Sequence, residues 1–132
     1  MIAEKNISIC GKEINIRYCM ASETGYEVIS GNSSEIFLPH KTGTDDNGEP
    51  IYEPPKAQTG DFLRLAFACI VAAYESKGEE TPISVNEILY EATPEEITAL
   101  ITTTIELRKD WYNIPTVVKP ETEEKESDGK NA

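Results

Sequence analysis

Histidine occurs once in this chain, at His40, and tryptophan once, at Trp111. A lone histidine cannot build a multi-histidine metal site. With no serine or cysteine in a nucleophile motif, it cannot complete a Ser-His-Asp triad either. Cysteine is also sparse. Cys10, Cys19 and Cys69 form an odd count with no C-x-x-C and no metal-ligand spacing. Cys69 lies among apolar residues, where a free thiol behaves as a small hydrophobe. Neither a phosphate-cradling GxxxxGK[ST] loop nor a GxGxxG turn occurs. Asp45-Asp46-Asn47-Gly48-Glu49 departs from a calcium loop, because the position that needs a bidentate Glu holds Pro54. The cluster is ordinary turn chemistry instead. No metal, no cofactor and no catalytic set is expected, so the chain reads as non-enzymatic.

Basic charge is scarce as well. Twelve Lys and Arg stand against 24 Asp and Glu in 132 residues, a net charge of -12. Such a body is repelled by phosphates, which argues against nucleic acid as a direct partner. It favours basic proteins, or serves solubility. Long apolar runs are missing too. Leu65-Ala-Phe-Ala-Cys-Ile-Val-Ala-Ala-Tyr74 stops at ten residues, well short of the roughly 20 that a membrane helix needs. No signal-peptide pattern precedes the first strand-like residues, and a reducing cytoplasm is the expected compartment.

What is present points to an α+β domain over residues 1–115, an N-terminal β-hairpin followed by about four α-helices. Ile7, Ile9, Ile14, Ile16 and Tyr18 bracket the turn signal Gly11-Lys12. Pairing Ile9 with Ile14 and Ile7 with Ile16 puts all four isoleucines on one face. Met20 to Ser30 reads as a short helix closed by Gly31. Gly25 inside it costs about 1 kcal/mol relative to Ala. Residues 32–60, rich in Pro and Gly from Pro39 onward, are expected as a long loop. A helix over about Asp61–Ser76 carries the apolar run, with a narrow polar stripe of Asp61, Arg64 and Glu75 backed by Ala68. A helix apolar nearly all round must be covered nearly all round, by this chain or by another.

Two capping boxes follow. Ser84-Val-Asn-Glu87 opens a short helix and Thr93-Pro-Glu-Glu96 opens the last one, which puts Ile97, Leu100, Ile101, Ile105, Leu107, Trp111 and Tyr112 on one side. Residues 116–132 lack apolar periodicity and are expected to be a disordered acidic tail.

Four residues stand out as candidate partner-binding positions. Phe67 and Ile70 lie on the apolar helix, whose incomplete cover by a hairpin and three short helices would favour weak self-association. Arg108 falls on the apolar side of the last helix. Its stem can pack while its head reaches a body carboxylate, or it can offer its charge to a partner. Trp111, one turn on, caps the core or anchors an interface.

Residues Glu13 to Phe37 resemble the N-terminal segment of tail assembly chaperones from long-tailed bacteriophages. The matching positions are Tyr26-Glu27, Val28-Ile29 and Ser30-Gly31, with Ser33 and Ser34 after them. The apolar helix over Phe62–Tyr74 and the Thr93–Glu96 helix start are similar too. The resemblance spans about Ile7–Asn113. It implies a protein without catalysis that coats a long helical tape measure protein and self-associates along it. The competing expectation is a small acidic adaptor or inhibitor bound to a basic protein.

Overall fold

The computed structural model describes residues 2–113. The expected acidic tail, 116–132, lies outside them. Strands β1 (Ala3–Ile9) and β2 (Lys12–Tyr18) form an antiparallel hairpin, and the helices are α1 (Met20–Ser30), α2 (Thr59–Glu75), α3 (Val85–Glu91) and α4 (Pro94–Tyr112). The α+β class, the N-terminal hairpin and the four helices match the expectation.

The register of the hairpin differs from the expected one by two residues. Ile9 faces Lys12, Ile7 faces Ile14 and Lys5 faces Ile16. The loop is a two-residue turn with Cys10 at φ 52° and Gly11 at φ 75°, the double left-handed conformation that matches the twist of paired strands. A shift by two preserves the faces. Ala3, Ile9, Ile14, Ile16 and Tyr18 are all buried. The strained Cys10 is tied down from the helices, since its N–H donates to Glu96 Oε2 at 3.1 Å. Glu96 Oε1 also accepts from the Thr93 N–H at 2.9 Å, completing the α4 capping box. At α3 the Ser84 hydroxyl caps Glu87 N–H at 3.0 Å. Here the box is not reciprocal, because the Glu87 carboxylate pairs with Lys12 instead.

Residues 32–60 are not one loop. They hold a 3-10 turn (Ser34–Phe37) and a second antiparallel hairpin, β3 (His40–Thr44) with β4 (Pro50–Glu53). Asp45 Oδ1 accepts from the N–H groups of Asn47 and Glu49 at 2.8 and 2.9 Å and closes the turn between them. Thr, Gly, Pro and charged residues supply no alternating apolar face, so this hairpin gives no strand signal. Apart from half-buried His40, its residues are exposed.

Helix α2 runs through the middle of the body, packed by α1, β2 and α4. Of the ten residues in Leu65–Tyr74, seven are buried, while Phe67, Val71 and Tyr74 are half-buried. The chain's own elements therefore provide most of the cover that the apolar run demands. Ala68, placed on the polar stripe by its sequence position, is buried under α1. A Cβ built on Gly25 would stand 3.3 Å from Ala68 Cβ. The glycine that weakens α1 locally is what lets it approach α2 so closely.

Candidate docking surface

Helix α1 is inside out. Its buried residues are Ser22, Glu23 and Tyr26, whereas Met20, Val28 and Ile29 are 60%, 84% and 49% exposed. Burying the polar side requires that each polar atom find a partner. Ser22 Oγ donates to Arg17 O at 2.8 Å and accepts from Cys19 N–H at 3.1 Å. Glu23 Oε2 accepts from the hydroxyls of Tyr18 at 2.8 Å and Tyr112 at 2.6 Å. The Arg108 guanidinium lies 3.8 Å from the same oxygen. Tyr26 donates its hydroxyl to Asp61 Oδ1 at 2.9 Å, tying the end of α1 to the start of α2.

Burial, reinforced by the hydrogen bond to Glu23, raises the Tyr18 phenol well above its ordinary value, and Tyr112 shifts the same way for the same reasons. Burial also pushes the Cys69 thiol up to about 12. These groups stay protonated at neutral pH and belong to packing.

With Ser22 and Glu23 turned inward beside core Tyr26, α1 leaves Met20, Val28 and Ile29 facing solvent. Together with α2 it forms a groove of about 370 Å³ lined by Ala21, Gly25, Val28, Ile29, Val71 and Glu75, with Thr24, Ala68 and Ala72. Small residues form its floor where Gly25 meets Ala68, and Val28 and Ile29 form a wall. An apolar concavity between two helices is the kind of surface that helix-in-groove recognition uses. It offers no converging polar groups for catalysis. No group of three or more His, Cys, Asp or Glu residues is placed to hold a metal ion among the described residues.

The four sequence candidates fall elsewhere. Ile70 is wholly buried in the core and offers no surface to a partner. Phe67 is half-buried and packs against that core. Arg108 and Trp111 do come together, around Tyr112, whose hydroxyl binds Glu23. The Arg108 head stacks 4.7 Å from the Tyr112 ring, and Trp111 lies 5.5 Å from the Tyr18 ring and 4.9 Å from Tyr112. This arrangement matches the reading of an arginine that packs its stem and reaches a body carboxylate. The groove has no counterpart among the sequence expectations, although Gly25, Val28, Ile29, Ala68 and Glu75 each figure in them. A signal for it existed in Ala21, Gly25, Val28 and Ile29, small and aliphatic residues at helical spacing around a costly glycine.

Among the described residues no helix is long and apolar enough to cross a membrane. No protein-family model, curated protein or solved structure matches this chain.

Proposed function

We propose that this chain is a non-enzymatic phage or prophage protein that acts as a tail assembly chaperone. It binds a long helical tape measure protein in the bacterial cytoplasm and keeps it soluble until the tail is built. The observation that carries this reading is the inverted α1, whose Val28 and Ile29 wall an apolar groove on α2. A groove of that shape suits an amphipathic helix laid with its apolar face inward. The net charge of -12 keeps the resulting complex dispersed. Self-association along the target, which the family resemblance implies, belongs to the same reading.

The test is co-expression with a phage tape measure protein. The partner should be soluble and co-purify with the wild type, and should be lost with Val28→Asp, which alters a side chain already in water. An insoluble partner with and without this chain refutes the assignment. The charge also favours a second reading, an acidic adaptor or inhibitor of a basic protein. That binding would weaken steeply with salt and ignore Val28→Asp.

A further inference from the structure

The groove between α1 and α2 has one charge near each end. The two helices run antiparallel, since Gly25 lies against Ala68 while the Tyr26 hydroxyl reaches Asp61 at 2.9 Å. Ala68 itself is closed off under α1. The α2 line left open beside the groove is exposed Arg64, half-buried Val71 and exposed Glu75. Glu75 lines the groove at the end where Ala21 meets Ala72. Arg64 stands one turn before Ala68, abreast of Ile29 at the other end. The two charges are about 16 Å apart along the axis and nearly on one line. Neither enters a salt bridge among the described residues. Arg64 Nη1 lies back over the first turn, 3.3 Å from where a Cβ on Gly60 would stand, and α2 has no basic residue in its last turn. A cation at the start of a helix and a carboxylate at its end both oppose the helix dipole. Neither charge is stabilised by its own helix, so each is placed to be met from outside.

We propose that the groove selects its occupant by charge. The occupant is an amphipathic helix of another protein that carries a cation for Glu75 and an anion for Arg64, about eleven residues apart. Apolar side chains between them fill the space bounded by Val28, Ile29 and Val71. This inference rests on the reading of the groove as a docking site and adds which helices fit it. The pattern separates such a helix from a merely basic one. The net charge of -12 draws any cationic helix, but at physiological salt the Debye length is about 8 Å. Most of the body charge is screened at that range, while charges in contact are not. A uniformly basic helix would gain at Glu75 and set like charges together at Arg64. A uniformly acidic one would do the reverse. The matched pair also fixes the register of the bound helix, because sliding it by one turn breaks both contacts together.

Fluorescence anisotropy of the full chain with three capped helical peptides tests it, each of about 18 residues and so long enough to pass both charges. They share one leucine stripe and differ only at two positions about eleven residues apart. Those positions hold Lys and Glu, Lys and Lys, or Glu and Glu. The wild type should bind the Lys/Glu peptide about threefold or more tighter than the Lys/Lys peptide, against the pull of its own net charge. Glu75→Lys makes both ends of the groove positive and should move the preference to Glu/Glu. Arg64→Glu makes both ends negative and should move it to Lys/Lys. Both variants alter exposed side chains, and circular dichroism checks that each is folded. A wild type that prefers Lys/Lys overturns the proposal, as does a ranking that stays the same in the variants. If the three peptides bind alike and Val28→Asp abolishes all three, the docking groove stands and its charge selection falls. If none binds, both fall.

Discussion

Glu23 illustrates how much one residue organises here. It sits on a helix of ordinary amphipathic appearance, yet the residue is only 8% exposed and its carboxylate accepts from two tyrosine hydroxyls, on β2 and α4. Sequence reasoning placed Arg108 and Trp111 correctly on the inner side of α4. It could not place Glu23, because the partners that make its burial tolerable come from segments as far off as Tyr112. A pH dependence follows from the same cluster. Tyr18, Tyr112 and Cys69 all have their folded-state pKa raised. Between the unfolded and folded values the native state holds more protons, so stability falls as pH rises. Thermal melts should show loss beginning near pH 9, where an unfolded cysteine ionises, and steepening near 10 as the tyrosines follow. Tyr18→Phe should flatten the upper part of that slope; an unchanged slope would show that Tyr18 does not carry it.

Ile70 and Trp111 separate core from interface by measurement. Ile70→Ala should cost about 2–5 kcal/mol in denaturant unfolding, the range for a wholly buried aliphatic residue. Trp111→Ala should cost about 2 kcal/mol or more through loss of its contacts with Tyr18 and Tyr112, with partner affinity following stability. A Trp111 variant of wild-type stability and weakened binding would return that residue to the interface.

At the scale of elements, the N-terminal hairpin and all four helices were legible because their signals are local. Alternating isoleucines, Gly31 in the left-handed region at φ 76° and the Thr93/Glu96 box each act within a few residues. The hairpin register was not legible, since it depends on Cys10 adopting a positive φ that a non-glycine residue rarely takes. The second hairpin escaped for a different reason. Its strands HKTGT and PIYE have no buried face to impose a period. Little holds it to the core, so its loss should be tolerated. Replacing residues 41–52 by a short Gly/Ser linker should shift the melting temperature by less than about 4 °C, the equivalent of under about 1 kcal/mol for a domain of this size. A larger fall would mean that the hairpin packs on the body after all.

On the scale of the whole molecule, the apolar helix that dominates the sequence is mostly satisfied by its own chain, and exposed aliphatic side chains remain on α1. Polar residues of α1 were needed inside for the Glu23 cluster, which left Val28 and Ile29 outside beside a glycine-floored groove. In the proposed reading, the acidic body keeps the chain dispersed and the apolar groove receives an apolar helix. The most direct test of that reading is hydrogen exchange on the full chain, with and without a helical fragment of a phage tape measure protein. The account predicts new protection on amides of residues 20–29 and 68–76, abolished by Val28→Asp, with little change in the second hairpin. Binding that protects the second hairpin or α3 instead, and leaves those two stretches unchanged, would contradict it.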